Sequence, residues 1–186
     1  MIEKFLNAKH WQLFLIIIGL PLILQFFIFS SFNLEENQGQ INTSLFMIIF
    51  PIIMIITTAV FFGWFWSIAT GLREYLLPEI IMKYKKFKIF FFIPLIYIII
   101  ISIFVGITMS GIKPNPLIFL IIVPMHLLSM FGIFYSLYFV AKTIKTVELK
   151  RDTKFDDFIG EFFLIWFFPI GIWIIQPRIN KLTNKI

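Results

Sequence analysis

The chain has no cysteine and only two histidines, His10 and His126, among its 186 residues. Lack of cysteine excludes disulfides, a thiolate nucleophile and any cysteine-ligated metal. No H-E-x-x-H, G-x-S-x-G or P-loop pattern is present, so common routes to hydrolysis and phosphoryl transfer have no foothold. Charge is scarce too: Asp, Glu, Lys and Arg make up 14% of the residues, while 60% are hydrophobic. A soluble domain of this length would have too few polar side chains to cover such a core.

The missing charge is concentrated in four stretches, Trp11–Phe32, Leu45–Thr70, Ile89–Ile112 and Leu117–Ala141, each of at least 22 residues. About 20 residues suffice for a helix to cross a hydrocarbon core of roughly 30 Å. The sequence therefore predicts an all-α membrane protein, with residues 1–186 forming a single transmembrane domain of four transmembrane helices. Lys4 and Lys9 precede the first stretch as they would in a secretory signal. Its apolar part is too long, however, and no small-x-small cleavage pattern follows, so a retained span is expected.

The basic residues orient these spans. Lys4 and Lys9 precede the first; Arg73, Lys83, Lys85, Lys86 and Lys88 follow the second; Lys142, Lys145, Lys150, Arg151 and Lys154 follow the fourth. The connection after span 1 has no Lys or Arg but carries Glu35 and Glu36, and the short "KPNP" connection holds only Lys113. The positive-inside rule then places the N-terminus and both basic loops in the cytoplasm, in a multi-pass membrane protein. The formal charge of +6 is read in the same way, as a surface toward anionic phospholipids of the bilayer and not toward nucleic acid.

The last apolar stretch, residues 158–176, is harder to assign. Its charge-free core Phe162–Ile175 has 14 residues, about 21 Å as a helix and short of the hydrocarbon thickness. Pro169 and Gly171 offer a break at its midpoint. If the segment spans, twelve basic residues lie inside and four outside; if it turns back, fifteen lie inside and one outside. A re-entrant or interfacial course is favoured, with a fifth transmembrane helix as the alternative.

Both basic loops carry amphipathic patterns. In "REYLLPEIIMKYKKFK", Leu76, Leu77, Ile80, Ile81, Tyr84 and Phe87 recur at helical spacing opposite Glu79, Lys83 and Lys86, which predicts a short helix in the headgroup region. Lys83, Lys85, Lys86, Lys88, Lys150 and Arg151 are the expected headgroup contacts. In the second loop, the spacing of Thr153 and Asp156 predicts a helix starting near Lys154. A weak internal repeat links "FGWFWS" and "FGIFYS", Phe62–Ser67 and Phe131–Ser136.

Two ionisable residues stand out in apolar surroundings. His126 lies about nine residues into the fourth span, near mid-membrane, where an ionisable group is a functional candidate by default. A structural hydrogen bond is the favoured reading, ahead of a metal ligand or proton relay. Glu161 is either a shallow carboxylate paired with a lysine, a cavity-lining group, or a helix N-terminal acid beside Asp156 and Asp157. Gln25, Thr57, Thr58, Ser67 and Ser102 read as interhelical hydrogen bonders, and Trp11, Trp64, Trp66 and Tyr138 as interface-belt aromatics. No catalytic or metal-ligating set and no cofactor is assigned.

The segments "GWFWSIATGL…LPEIIMKYKKFKIFFFIP" and "YFVAKTIKTVELKRDTKFDDFIGEFFLIWFFPIGIWIIQPRIN" resemble a group of small integral membrane proteins of Bacteroidota. The resemblance implies no activity, because that group carries no assigned chemistry. It does imply that the unusual last segment belongs to the fold. The expected function is a non-catalytic membrane component (scaffold, accessory subunit or regulator), working as a homo-oligomer or with a membrane-protein partner. The alternatives are a small oligomeric pore or transporter, and a lipid-modifying enzyme using His126 and Glu161.

Overall fold

A computed structural model describes residues 1–35, 43–109 and 113–183. Glu36 of the expected acidic loop, residues 110–112 of the third expected span, and Lys185 lie outside the described residues. The helices are α1 (Ile2–Leu6), α2 (His10–Phe14), α3 (Leu20–Glu35), α4 (Thr43–Gly71), α5 (Tyr84–Met109), α6 (Phe119–Leu149), α7 (Phe155–Trp166) and α8 (Phe168–Thr183). No strand occurs among the described residues. Four helical stretches are long and apolar enough to cross a membrane, centred on His10–Phe27, Ile55–Tyr75, Tyr84–Val105 and Pro116–Leu149.

A π-helical turn, Leu15–Gly19, joins α2 to α3. Pro21 comes two residues after it; it has no N–H to donate and its ring crowds the preceding turn, so a widened turn relieves the clash. In α5, Pro94 likewise leaves the carbonyl of Phe90 without its i+4 donor. That carbonyl is turned toward Gly132 of α6, where a Cβ would sit 2.6 Å from Phe90 O. A glycine at this crossing lets the two backbones meet.

The last two helices answer the question of the final segment. α7 climbs alongside α6, with Trp166 at its tip resting on Phe134 at a ring separation of 4.9 Å. The chain leaves helical geometry at Phe167 (φ −84°, ψ 54°) and α8 then descends. Arg178 near its end reaches Glu148 at the base of α6, and Asn180 reaches Ala8 beside the N-terminus. Both ends of the hairpin thus lie on one face. At 12 and 16 residues, its arms are about 18 and 24 Å long, each short of a crossing. The break falls two residues before Pro169, because a proline fits the first turn of a helix and so starts α8 instead of interrupting it.

Buried side chains gather in the half of the molecule next to this face. The core runs from Leu6, Leu13 and Ile17 through Phe62, Trp64, Phe65, Ile68 and Ala69 of α4, Leu72 just after it, and Phe87 and Phe91 of α5. It continues through Leu137–Val147 of α6 to Phe158, Ile165, Ile172, Ile175 and Ile179 of the hairpin. In the other half, Ile96, Ile99, Ile103, Leu120, Ile121 and Leu127 are exposed and suited to lipid.

Three expectations are corrected. The amphipathic helix over Leu76–Phe87 does not form: Leu76 is extended, residues 76–83 are irregular, and α5 begins only at Tyr84. The proline at 78 biases Leu77 away from helical geometry, which outweighs the periodic pattern. Trp64 is no belt residue but 1% exposed, its indole N–H donating to Gln176 Oε1 at 2.7 Å. Ser67 and Ser102 do not bridge helices; they donate to Gly63 O and Ile98 O, one turn back on their own helices. Ser136 repeats the Ser67 contact by donating to Gly132 O, so both members of the F-G-x-F-aromatic-S pair share a local geometry.

The turn of the hairpin is closely packed: a Cβ added to Gly171 would run into the backbone carbonyl of Leu164, whereas one on Gly160 would meet nothing within 4 Å. Gly171→Ala is therefore expected to cost about 3 kcal/mol by forcing the two arms apart. Gly160→Ala should instead be neutral or stabilise by up to ~1 kcal/mol through helix propensity. Thermal unfolding of both variants in detergent measures the contrast.

Candidate functional site

The richest polar assembly lies where α6, α7 and α8 meet. Glu161, midway along α7, is 5% exposed. Its Oε1 accepts from Lys145 Nζ at 3.0 Å and from Arg178 Nη2 at 2.6 Å. Arg178 extends a second pair of donors to Glu148, Nε to Oε1 at 2.8 Å and Nη2 to Oε2 at 2.5 Å. Lys145 also stands 3.8 Å from Glu148, one turn along α6. Two acids and two bases from three helices form a neutral cluster. The planar guanidinium is suited to this geometry because its fork meets one carboxylate with two donors while reaching a second.

Gln176, two residues earlier on α8, is fully buried. Besides accepting from Trp64, it donates through Nε2 to Phe5 O, Leu6 O and Ala8 O at 3.1, 3.2 and 2.9 Å. Asn180 adds a bond to Ala8 O at 3.2 Å. These side chains cap the C-terminal end of α1, whose last carbonyls have no intrahelical donors. His10 packs on Trp173 of α8 with ring centroids 4.6 Å apart.

Between α6 and α7 the connection is tied by further pairs. Lys142 Nζ meets Asp152 at 2.9 Å, Arg151 meets Asp157 through two donors at 2.7 and 3.1 Å, and Thr146 and Thr153 share a hydroxyl hydrogen bond of 2.8 Å. The α7 helix starts at Phe155, with Lys154 as N-cap. The acid that accepts the N-cap amide is Asp157, not Asp156, and Thr153 is turned toward Thr146. The Lys142 ammonium holds the Asp152 carboxyl below its usual range. The Arg151 guanidinium and the Lys154 amide do the same for Asp157.

His126 is remote from this assembly. Its Nδ1 lies 3.1 Å from the hydroxyl of Tyr97 on α5, with the rings edge-on at 5.5 Å, so the pair ties α5 to α6 across the membrane. The side chain is on the exposed flank of α6. The structure therefore does not bring His126 and Glu161 together. Of the expected headgroup contacts, Arg151 is committed to Asp157, while Lys150 is the exposed left-handed residue (φ 50°) that ends α6. Sequence reasoning missed Lys145, Glu148, Gln176 and Tyr97 as partners, and it weighed Arg178 only as a topological marker. The available signal was Glu161 itself, since a carboxylate among apolar residues demands a cation.

Comparison with protein-family models, with curated proteins and with solved structures yields no match.

Chemically, the cluster is closed. Each carboxylate in it is held by a cation, and each amide and indole beside it is hydrogen-bonded. Removing one partner leaves the other charge buried and uncompensated. Glu161→Gln is expected to cost about 3 kcal/mol of stability, read as a lowered unfolding midpoint in detergent. At the surface, the depressed Asp152 and Asp157 carboxyls contribute stability that is present above the unfolded pKa and lost as pH falls through the folded value. The unfolding midpoint should therefore drop as pH goes below about 4, and Asp157→Asn should remove part of that dependence.

Proposed function

We propose that the protein is a non-catalytic component of a bacterial inner membrane, a scaffold or accessory subunit whose hairpin-bearing face looks into the cytoplasm. The observation that carries this reading is the closure of the polar cluster. Glu161 already accepts from two cations, and Gln176 is spent on Trp64 and three carbonyls, so neither is left as an acid, base or ligand for a substrate. Orientation is supported by charge. Every described Lys and Arg except Lys113 lies toward the face that carries the N-terminus and the base of the hairpin, as the positive-inside bias requires of a cytoplasmic face.

A second reading, a pore built from several copies, is favoured by one feature. His126, hydrogen-bonded to the buried Tyr97, is exposed on the flank of α6, where a neighbouring copy would cover an ionisable group within a candidate span.

Reconstitution into liposomes separates these readings. A non-catalytic component leaves an entrapped dye in place and the lipids chemically unchanged. Dye release that is lost in His126→Ala would establish the pore instead, and lipid turnover that is lost in Glu161→Gln would establish an enzyme.

A further inference from the structure

Among the described residues four cations form ion pairs and the others form none. All six ion pairs among the described residues use Lys142, Lys145, Arg151 or Arg178. Arg73, Lys83, Lys85, Lys86 and Lys88 belong to none, although Glu74 and Glu79 are close in sequence. Three of these five lie instead on aromatic faces. The Arg73 guanidinium stands 5.4 Å from the centre of the Tyr84 ring. Lys88 Nζ is 5.0 Å from the same ring and 5.9 Å from Trp66. Lys86 reaches both Phe90 and Tyr135.

Two cations on one tyrosine, with no carboxylate between them, repel each other unless an anion joins them. Stacking on a ring uses the π face and leaves the in-plane N–H donors of Arg73 free. The Arg73 guanidinium makes no hydrogen bond or ion pair among the described residues, and it and Tyr84 border a cavity of about 340 Å³. The walls are Leu77, Ile81 and Met82 of the irregular connection, and Phe139 of α6 also lines it. Ile81 is 92% exposed at this rim. The cavity lies where α4 ends and α5 begins, at membrane-surface level if those helices span. A free inorganic anion has no use for such an apolar rim, whereas a lipid presents phosphate and glycerol–acyl surface together.

We propose that this notch binds the headgroup of an anionic phospholipid. The in-plane donors of Arg73 take the phosphate oxygens, Lys88 supplies the second charge, and Leu77 and Ile81 lie along the glycerol and upper acyl chains. The site rests on the membrane reading of the fold but not on the protein's orientation or on its being non-catalytic.

The test uses the full chain in nanodiscs of phosphatidylcholine containing a minor fraction of phosphatidylglycerol. Lipids retained on the protein are counted by native mass spectrometry. Phosphatidylglycerol should be retained preferentially, and Arg73→Gln with Lys88→Gln should weaken that preference on the order of tenfold. Lys83→Gln with Lys85→Gln removes the same charge outside the notch and should change it by less than about twofold. An equal loss in both pairs would reduce the effect to diffuse surface charge and overturn the site. So would inorganic phosphate, if it raises the unfolding midpoint in pure phosphatidylcholine nanodiscs as much as phosphatidylglycerol does. Lys88→Gln alone, at an exposed side chain, guards against a fold defect and should still lower the preference about threefold.

Discussion

A polar group carried below the membrane surface must find its partner within the protein, because hydrocarbon offers none. The hairpin α7–α8 is where this constraint presses hardest. It brings a carboxylate, a carboxamide and a guanidinium into a largely apolar packing, and every one of them is matched. Glu161 lies between Lys145 and Arg178, and Gln176 between Trp64 and the end of α1. These contacts join α1, α4, α6, α7 and α8, so the hairpin cannot leave without exposing several unpaired groups at once. Its stability is of the kind in which breaking one partner costs more than the pair itself contributes.

The same arrangement explains the uneven distribution of the core. The aromatic and aliphatic side chains buried around the hairpin belong to the half of each spanning helix nearest the N-terminus and the two basic connections. Towards the other face, α5 and α6 keep each other company through His126–Tyr97 and the Phe104–Phe119 ring contact, while most of their surface is exposed. In a bilayer, that exposure costs nothing, since lipid tails are as apolar as isoleucine. The consequence is a molecule with one well-packed half and one half whose apolar surface is left open.

How much of this could be read in the sequence follows from the range of each interaction. The four spanning helices were legible because they depend on a property of contiguous residues, the absence of charge over 22 or more positions. The turn-back of the last segment was favoured by length and by the basic residues after it. The position of its break was not legible, because Pro169 supports a helix start as well as a helix stop. Helical periodicity over Leu76–Phe87 misled, since a local pattern cannot overrule the backbone restriction that Pro78 places on Leu77. The partners of Glu161 are 16 and 17 residues away, and those of Gln176 are between 112 and 171 residues away. Such pairs are fixed by how helices dock, and no single-sequence pattern encodes that. Trp64 shows the point from the other side: its composition class suggested an interface belt, and docking of α8 buried it.

The two populations of cations also bear on how the chain acquires its orientation. The positive-inside bias counts Lys and Arg near the ends of spans without regard to what they later bond. Here Lys142, Lys145, Arg151 and Arg178 end in ion pairs around the hairpin, whereas Arg73 and the lysines of 83–88 are among the cations that form none. If both groups help to hold loops in the cytoplasm during insertion, their roles part after folding. The paired group becomes internal glue whose field is cancelled by Glu148, Asp152, Asp157 and Glu161. The unpaired group around Arg73 and Lys88 lies on aromatic faces instead, so its charge stays available to an outside anion. Two uses of the same residue types thus sit in one fold, one closing it on itself and one left unsatisfied.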